Sequence, residues 1–237
     1  MTGSDIAASP RPDNPHVRYH PALFQGSEEW LEARRGLLTA SEMNLLITPT
    51  LKIAANDKQR SHFYELLAQR ISGYVEPHYI SDDMLRGIEE EADARDAYAE
   101  RYAPVQECGF ITNSRWGFTI GYSPDGLVGD DGLIEAKSRR QKYQVQTILE
   151  GEVPADYVMQ LQTGLLVSER AWIDFISYSG GLPMFVKRVW PDPKIQEAIV
   201  EAAGRFEASM AESLAEYQEL TAGLVMTERR VEQEMVI

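Results

Sequence analysis

The sequence predicts a mixed α/β or α+β fold, in which helices pack against a mixed central sheet. Three observations support this class. Apolar residues recur at helical spacing toward both ends of the chain. Between residues 105 and 138 the helical spacing gives way to short strand-like runs. Turn signals rich in Asn, Gly and Pro separate these strand-like runs. A chain of 237 residues can bury one sizeable core. We therefore expect a single domain over residues 21–220, with a flexible leader at 1–20 and a tail at 221–237.

Four helices are predicted in the first part of the chain. Ser27 can cap the first helix with its side-chain oxygen, and Gly36 ends it. Thr39 and Glu42 have the spacing of a capping box, so a second helix should begin there. The helices are expected at residues 27–35, 39–47, 57–72 and 81–102.

The second part of the chain is predicted to alternate strands with helices. Short apolar runs between turn signals indicate strands, and the last two runs flank a Gly-Gly-Leu-Pro turn as a hairpin would. Helical spacing predicts a helix at 155–168 and a long amphipathic helix from Ile195 to Tyr217. The strands are expected at residues 105–112, 117–122, 133–138, 172–178 and 184–190.

The composition excludes several classes of protein. Hydrophobic residues make up 43% of the chain, but no run approaches the roughly 20 apolar residues of a membrane helix. Residues 1–15 lack the apolar centre of a secretory signal. Cys108 is the only cysteine, which excludes an internal disulfide and an iron–sulfur cluster held by the cysteines of one chain. These features are typical of a cytoplasmic protein.

The net charge of −14 is unusual for a protein that binds nucleic acid, but the charge is unevenly distributed. Residues 76–107 contain ten acidic and three basic residues, and residues 191–237 contain ten acidic and four basic residues. These two stretches therefore carry nearly all of the net negative charge. Between residues 133 and 149 there is a basic strip, which is compatible with DNA binding. The members of this strip are Lys137, Arg139, Arg140 and Lys142.

The residues that indicate chemistry lie in Ser-Pro-Asp-Gly at 123–126 and Ile-Glu-Ala-Lys at 134–137. Glu135 and Lys137 are two apart on a strand and share one face, and Asp125 lies one hairpin away on a turn that can reach that face. Two carboxylates beside an ammonium group suit phosphodiester hydrolysis, because carboxylates can hold Mg²⁺ and a lysine can orient or deprotonate water. The alternative is an exposed strand face laced with salt bridges, which this spacing alone also fits.

Four motifs, in order along the chain, give these residues a context. Together they resemble the lambda-exonuclease branch (YqaJ-type viral recombinases) of the PD-(D/E)XK nucleases, and they lie in residues 30–190, most of the predicted domain. The resemblance implies the PD-(D/E)XK restriction-endonuclease-like fold, a mixed central sheet flanked by helices. The motifs are Trp30-Leu-Glu-Ala-Arg-Arg-Gly36 with Thr39-Ala-Ser-Glu42, Gly87-Ile-Glu-Glu-Glu-Ala-Asp-Ala-Arg95, Ser123-Pro-Asp-Gly-Leu127 with Glu135-Ala-Lys137, and Tyr157-Val-Met-Gln-Leu-Gln162.

The resemblance assigns a metal site. Asp125 and Glu135 match the metal-binding carboxylates of the family, and the backbone carbonyl of Ala136 matches a further ligand. Lys137 matches the catalytic lysine. Mg²⁺ is the expected ion and Mn²⁺ is the alternative, because both accept oxygen ligands.

Glu91 matches an acidic residue that completes this metal site from a helix. The helical spacing supports this position in part. We expect Ile88 and Tyr98 to face inward, and Glu91 lies three residues after the first and seven before the second. A carboxylate in that position needs a partner, since burying it unpaired is costly. The alternative to a metal is an ion pair with Arg95 at position i+4.

The resemblance further implies a pocket for a 5′-terminal phosphate, and Arg34, Ser41 and Ser123 match its members. A guanidinium with two hydroxyls is a suitable phosphate site. The adjacent Arg35 leaves the identity of the arginine open, and the distance from Trp30 favours Arg34. Outside this context, Arg34 would be a surface cation and Ser41 a part of the capping box.

Two further groups of residues are assigned near the site. Gln160 and Tyr157 match the helix that backs the active site, with Gln160 near Lys137 or a metal-bound water. The alternative is that they are polar positions on a half-exposed amphipathic helix. Arg139 and Arg140 follow the catalytic strand and are expected to contact the DNA backbone, although a solvated basic face fits equally well.

The activity implied by the resemblance is a Mg²⁺-dependent exonuclease that acts on double-stranded DNA ends, digests 5′ to 3′ and leaves 3′ single strands. Such an enzyme would serve the homologous recombination of a phage or prophage in a bacterial host and pass its product to a single-strand annealing protein. Family members form rings, most familiarly trimers, so a homo-oligomer is expected. Two alternatives remain open. One is a structure-selective or restriction-type endonuclease, which would cut closed circles. The other is a DNA-end-binding or interaction module with a decayed site.

Overall fold

The computed structural model describes residues 14–77 and 82–229, and its elements confirm the mixed α and β class. The helices are α1 (Glu28–Arg34), α2 (Met43–Leu46), α3 (Asp57–Ser72), α4 (Asp82–Arg101), α5 (Gln141–Glu150), α6 (Ala155–Ser168) and α7 (Pro193–Leu220). The strands are β1 (Val17–His20), β2 (Leu38–Thr39), β3 (Phe110–Asn113), β4 (Ile120–Tyr122), β5 (Gly126–Val128), β6 (Gly132–Ser138), β7 (Trp172–Tyr178) and β8 (Phe185–Val189).

The strands divide into two sheets of four, both of them mixed. The first has the order β1-β3-β4-β2 and is antiparallel except between β2 and β4. The second has the order β5-β6-β7-β8, and only its central pair, β6 and β7, is parallel. Helices α5 and α6 lie between β6 and β7 in the chain, because parallel neighbours require a crossover connection.

The N-terminal elements begin and end where the capping signals predict. The hydroxyl of Ser27 accepts a hydrogen bond from the backbone N–H of Trp30 (3.2 Å), and Gly36 after α1 has a φ of 66°. The capping box of Thr39 and Glu42 is present, but its first turn is a 3₁₀ helix that leads into α2. Helices α3 and α6 have the predicted bounds.

The predicted boundary after residue 20 is wrong, because β1 lies inside the segment assigned to the flexible leader. Four residue pairs join β1 to β3, from Val17 opposite Asn113 to His20 opposite Phe110. The domain therefore includes residues 17–20. A strand of four residues is too short for its alternation to distinguish it from irregular chain.

Elements β5 and α5 are missing from the prediction, and β3 and β4 begin later than predicted. Strand β5 has only three residues, and its neighbour β6 stabilises it through long-range pairing that no local pattern reports. Residues 1–13 and 230–237, at the ends of the predicted leader and tail, lie outside the described residues.

Two hydrophobic clusters hold strand β6 on both faces. The larger cluster includes Leu133 of β6 together with Leu161 of α6, while the smaller includes Ile134 and Ala136 of β6 with Tyr98 of α4. Since side chains alternate along a strand, Glu135 and Lys137 share the face of Leu133, toward α6. In the part of the chain that the structure describes, no helix combines the length and apolarity needed to cross a membrane.

Candidate active site

Asp125 lies in the tight turn between β4 and β5, with its carboxylate directed to the neighbouring strand. Its Oδ2 accepts a hydrogen bond from the backbone N–H of Ala136 at 2.6 Å, and the residue is only 6% exposed. A side chain at the following Gly126 would not fit, because its Cβ would lie 2.2 Å from a side-chain carbon of Val105. The sequence prediction that Asp125 reaches β6 across one hairpin is confirmed.

Glu135 is the most strongly restrained carboxylate of the site. Its Oε1 accepts hydrogen bonds from Lys137 Nζ (2.7 Å) and from the side-chain amide of Gln160, and its Oε2 accepts one from the Tyr122 hydroxyl (2.9 Å). Glu135 is 1% exposed, which excludes the alternative of an exposed, salt-bridged strand face. Three donors on β4, β6 and α6 thus fix one buried anion.

The ammonium of Lys137 lies between the acidic residues and an aromatic ring. Its Nζ is 5.7 Å from the ring centroid of Tyr157 on α6. Burial lowers the pKa of Lys137, but the carboxylates of Glu135 and Asp125 more than offset burial and raise it above the ordinary value. The lysine is therefore a cation at neutral pH, suited to stabilise negative charge.

Glu91 on α4 faces this group. Burial, followed by the charge of Glu135, raises the pKa of Glu91, and its carboxyl also interacts with Asp125. Arg95 donates to the backbone carbonyl of Asp125 (3.2 Å) and lies 3.7 Å from Glu107, but its charge also acts to lower the pKa of Glu91, so the alternative pair of Glu91 with Arg95 stays open. The prediction that Ile88 faces inward is wrong, because it is 63% exposed.

The three carboxylates concentrate more negative charge than one lysine balances. Burial, then the charges of Glu135 and Glu91, raises the pKa of Asp125 well above its ordinary value. In residues 14–77 and 82–229, no three His, Cys, Asp or Glu side chains are already arranged around a common point as metal ligands. The chemistry of the donor set nevertheless fits a hard divalent cation, which takes oxygen ligands and would offset this charge.

Arg34, the last residue of α1, is directed at the loop after β4. Its guanidinium donates to the hydroxyls of Ser123 and Thr39 (both 3.2 Å) and stacks 4.4 Å from the ring centroid of Trp30. Burial lowers the pKa of Arg34. Arg35, by contrast, pairs with Glu32 at the surface, so of the two adjacent arginines it is Arg34 that is directed at the candidate site.

One open cleft of about 210 Å³ joins the arginine to the carboxylates. Ser41 belongs to it and lies 3.2 Å from the Thr39 hydroxyl. The structure thus brings together the residues of the predicted metal site and those of the predicted phosphate pocket. The cleft is lined by Gln25, Trp30, Arg34, Ala40, Ser41, Glu91, Tyr122, Ser123, Asp125, Glu135, Lys137 and Gln160.

Arg139 and Arg140 lie beyond the cleft rather than in its wall. Arg139 donates to the hydroxyl of Tyr157 at 2.8 Å, and Arg140 is the N-cap residue of α5. Their predicted contact with DNA would therefore be made outside the cleft, next to Lys137.

Sequence reasoning missed two residues that hold the site together. Tyr122 anchors Glu135, and Trp30 donates its indole N–H to the Ser123 hydroxyl (3.0 Å) while it stacks on Arg34. Both lie in or beside the recognised motifs, which was the available signal. Their partners are distant in sequence, however, so spacing could not assign them a role.

Comparison with known proteins relates this chain to a family of enzymes. The profile of the YqaJ-like viral recombinase domain matches residues 29–171. The alkaline exonuclease LHK-Exo from Laribacter hongkongensis is 32% identical, with a TM-score of 0.75 over 84% of this chain and 100% of that one. The structure of the same enzyme in complex with dAMP matches equally well.

A phage-related exonuclease from Haemophilus somnus has the same fold but is more distant. It is 15% identical, with a TM-score of 0.52 over 76% of this chain and 96% of that one. No curated protein sequence matches the chain.

Proposed function

Because this chain belongs to the YqaJ-like viral recombinase domain family, we propose that it is a Mg²⁺-dependent exonuclease of double-stranded DNA that digests from the 5′ end. One observation carries the proposal. A single cleft combines buried carboxylates and a lysine with an arginine-and-serine pocket suited to a terminal phosphate. The resemblance to an alkaline exonuclease, also solved with dAMP, supports a DNA substrate and a nucleoside monophosphate product.

The metal site would use Asp125, Glu135, Glu91 and the backbone carbonyl of Ala136. Mg²⁺ is our first choice and Mn²⁺ the alternative. When bound, the divalent ion supplies Lewis-acid stabilisation of the charge that develops on the phosphoryl oxygens. The need for charge compensation supports this assignment, because burial and mutual repulsion raise the pKa of Asp125 and Glu91.

Lys137 and Gln160 would act on the attacking water. Lys137 is a cation beside Glu135, so it can orient water and stabilise charge on the phosphoryl oxygens. Water adds to phosphorus, the bond from phosphorus to the O3′ of the terminal nucleotide breaks, and that O3′ takes up a proton. The terminal nucleotide leaves as a 5′-monophosphate, and the water oxygen stays on the new 5′-phosphate of the shortened strand.

This balance explains why a 5′-phosphate pocket suits an exonuclease. Every turnover regenerates the group that Arg34, Ser41 and Ser123 would bind, so the shortened strand can advance into the same pocket. Arg34 is already positioned by two hydroxyls and the Trp30 ring, which reduces the entropy lost on binding.

Digestion of linear and closed circular DNA tests the proposed activity. Wild-type protein should degrade linear duplex with Mg²⁺, do nothing in EDTA and leave the circle intact. Lys137→Ala should lower the rate roughly 10²–10⁴-fold, as loss of acid–base or charge stabilisation does. Cutting of the closed circle would instead indicate an endonuclease. Full activity of Lys137→Ala would remove the site assignment.

The phosphate pocket is tested with two adjacent arginines. Arg34→Ala should reduce the preference for 5′-phosphate over 5′-hydroxyl ends by about tenfold or more, because a charge-assisted bond is worth roughly 1.5–3 kcal/mol. Arg35→Ala removes the same charge from the exposed pair with Glu32 and should keep the preference. Equal behaviour of the two variants would refute the pocket.

The wider role follows from the same proposal. The protein would act in the cytoplasm of a bacterial host in phage-type recombination, pass 3′ single strands to an annealing protein and assemble as a homo-oligomeric ring, such as a trimer. Light scattering after gel filtration should detect the oligomer, and a monomer at all concentrations would exclude the ring.

A further inference from the structure

Beyond Lys137, cationic and aromatic side chains alternate in a continuous series that reaches the surface. We call the outer part of this series, Arg139, Lys142 and Tyr143, the outer ladder. Tyr157 connects it to Lys137. Residue 139 follows β6 directly, and the other two lie in the first turn of α5.

The contacts within this series are close. The Arg139 guanidinium lies between two rings, 5.3 Å from the centroid of Tyr157 and 5.2 Å from that of Tyr143. Lys142 Nζ is 4.6 Å from the Tyr143 centroid. The series therefore runs from the catalytic lysine through two rings and two further cations.

The outer ladder has polar and aromatic groups that a ligand could contact. The Nε of Arg139 is buried and has no hydrogen-bond partner among the described residues, while Lys142 is exposed and Tyr143 is 42% exposed. Cations on an aromatic platform bind nucleic-acid strands of any sequence, through phosphates and through stacking on bases. A core-packing role would not explain two exposed members on a chain with a net charge of −14.

The position of the outer ladder relative to the cleft indicates the direction in which a bound DNA strand would run. Lys137 of β6 lines the cleft. Arg139 follows it two residues later, roughly 6.6 Å farther along the direction of this β-strand. The backbone N–H of Arg139 still donates to Tyr178 of β7 (2.7 Å), so the extended conformation continues to this residue. If the terminal phosphate lies at Arg34, the strand passes the carboxylates and leaves beside Lys137.

We propose that the outer ladder binds the cleaved strand on the 3′ side of the scissile phosphate. Arg139 and Lys142 bind its phosphates, and the Tyr143 ring stacks on a base or sugar. The site takes a phosphodiester strand without sequence preference. This inference rests on the proposed exonuclease function for its direction, but its DNA affinity can be measured without cleavage.

Equilibrium binding in EDTA provides the first test, using fluorescence anisotropy of a 5′-phosphorylated duplex. Lys142→Ala should weaken binding about 3–10-fold and lower the slope of log affinity against log salt by about one. Lys58→Ala is the matched control, because Lys58 is an exposed lysine at the second position of α3, as Lys142 is in α5. An unchanged slope for Lys142→Ala, equal to that of the control, would overturn the proposal.

The aromatic contact is tested in the same assay. Tyr143→Ala should weaken binding about 5–150-fold, in line with roughly 1–3 kcal/mol for a base stacked on a ring. Tyr143→Phe keeps the ring and should restore most of the affinity. Equal losses in both variants would contradict stacking, and no loss in either would remove Tyr143 from the site.

Neutral methylphosphonate linkages then locate the strand. The linkages are placed one at a time on the 3′ side of the scissile bond in the cleaved strand. At one of these positions, the linkage should abolish the difference in binding affinity between wild type and Lys142→Ala. The same effect from the complementary strand alone would refute the assignment. Failure of wild-type protein to digest linear DNA would refute the proposed function, while a slope change in EDTA would still support the outer ladder as a DNA-binding surface.

Discussion

The carboxylate of Glu135 shows how the site is organised at the scale of single residues. Three donors hold it before any ligand arrives, and the Tyr122 hydroxyl is the most deeply buried of them. Burial, then the charge of Glu135, raises the pKa of Tyr122 well above its ordinary value, so the phenol remains a donor throughout the working pH range. A fixed Glu135 limits the reorganisation needed when substrate binds.

Tyr122→Phe should therefore impair the site while preserving the fold. We expect affinity for Mg²⁺, or activity at limiting Mg²⁺, to fall about 10–100-fold, as happens when residues that orient metal ligands are replaced. Tyr98→Phe is the matched control, because Tyr98 is equally buried and donates to the buried carboxylate of Asp174. Both variants should lose roughly 1.5–3 kcal/mol of stability, because each removes a hydrogen bond to a buried carboxylate. Only Tyr122→Phe should need more Mg²⁺, and a parallel change in both would contradict the role.

Asp125→Asn should stabilise the metal-free protein while it removes activity. The amide oxygen can still accept from Ala136, and the charge that opposes Glu135 and Glu91 is gone. In EDTA near pH 8 we expect a gain on the order of 1 kcal/mol, or roughly 2–4 °C in melting temperature.

The pH dependence of that gain has a defined sign. The folded pKa of Asp125 is raised, so its ionisation costs stability above that pKa and the cost disappears as the pH falls through it. The advantage of Asp125→Asn over wild type should therefore shrink toward about pH 5. Asp130→Asn, at an exposed position, should show no advantage at either pH, and an Asp125→Asn protein less stable than wild type near pH 8 would contradict the account.

At the scale of elements, the site depends on how closely α6 approaches β4. Gly164 of α6 faces the ring of Tyr122, and a Cβ there would lie 2.7–3.1 Å from three ring carbons. The glycine therefore allows Tyr122 to lie between α6 and Glu135.

Gly164→Ala should be destabilising despite the better helix propensity of alanine. Propensity favours the change by about 1 kcal/mol, but overpacking a closed core costs about 1–3 kcal/mol. Gly204→Ala in α7 is the control, because its Cβ would lie 3.4 Å from the Phe118 ring, an ordinary contact. Urea denaturation should give a lower midpoint for Gly164→Ala and an equal or higher midpoint for Gly204→Ala. Equal stability of the two variants would contradict the packing argument.

The elements also separate what the sequence can predict from what it cannot. Helices α1, α3 and α6 and the hairpin of β7 and β8 carry complete local signals, namely caps, periodicity and turns, and were predicted close to their bounds. Strands β1 and β5 have four and three residues and exist through pairing with distant strands. The division of the strands into two sheets is likewise a long-range property.

The candidate site follows the same division. The motifs identified the residues that line the cleft with their own chemistry, including Asp125 and Arg34. They did not identify the contacts of Tyr122 with Glu135 or of Trp30 with Ser123, because these pairs are 13 and 93 residues apart.

At the scale of the whole molecule, charge is distributed unevenly around the cleft. The two acidic stretches of the sequence include all of α4 and all of α7, whereas β6 and the start of α5 carry the basic strip. An acidic exterior disfavours DNA bound outside the cleft, while the basic strip favours a strand that enters it. This pattern would suit a ring around DNA, which remains a proposal.

The most direct test of the central claim follows the two ends of one strand during a single turnover. A linear duplex carries a label on its 5′-phosphate or at its 3′ end, and Mg²⁺ starts the reaction. We predict that the 5′ label leaves at once as a mononucleotide, while the 3′ label stays in a long strand. Release of the 3′ label first, or labelled internal fragments from either end, would contradict a 5′-end-directed exonuclease.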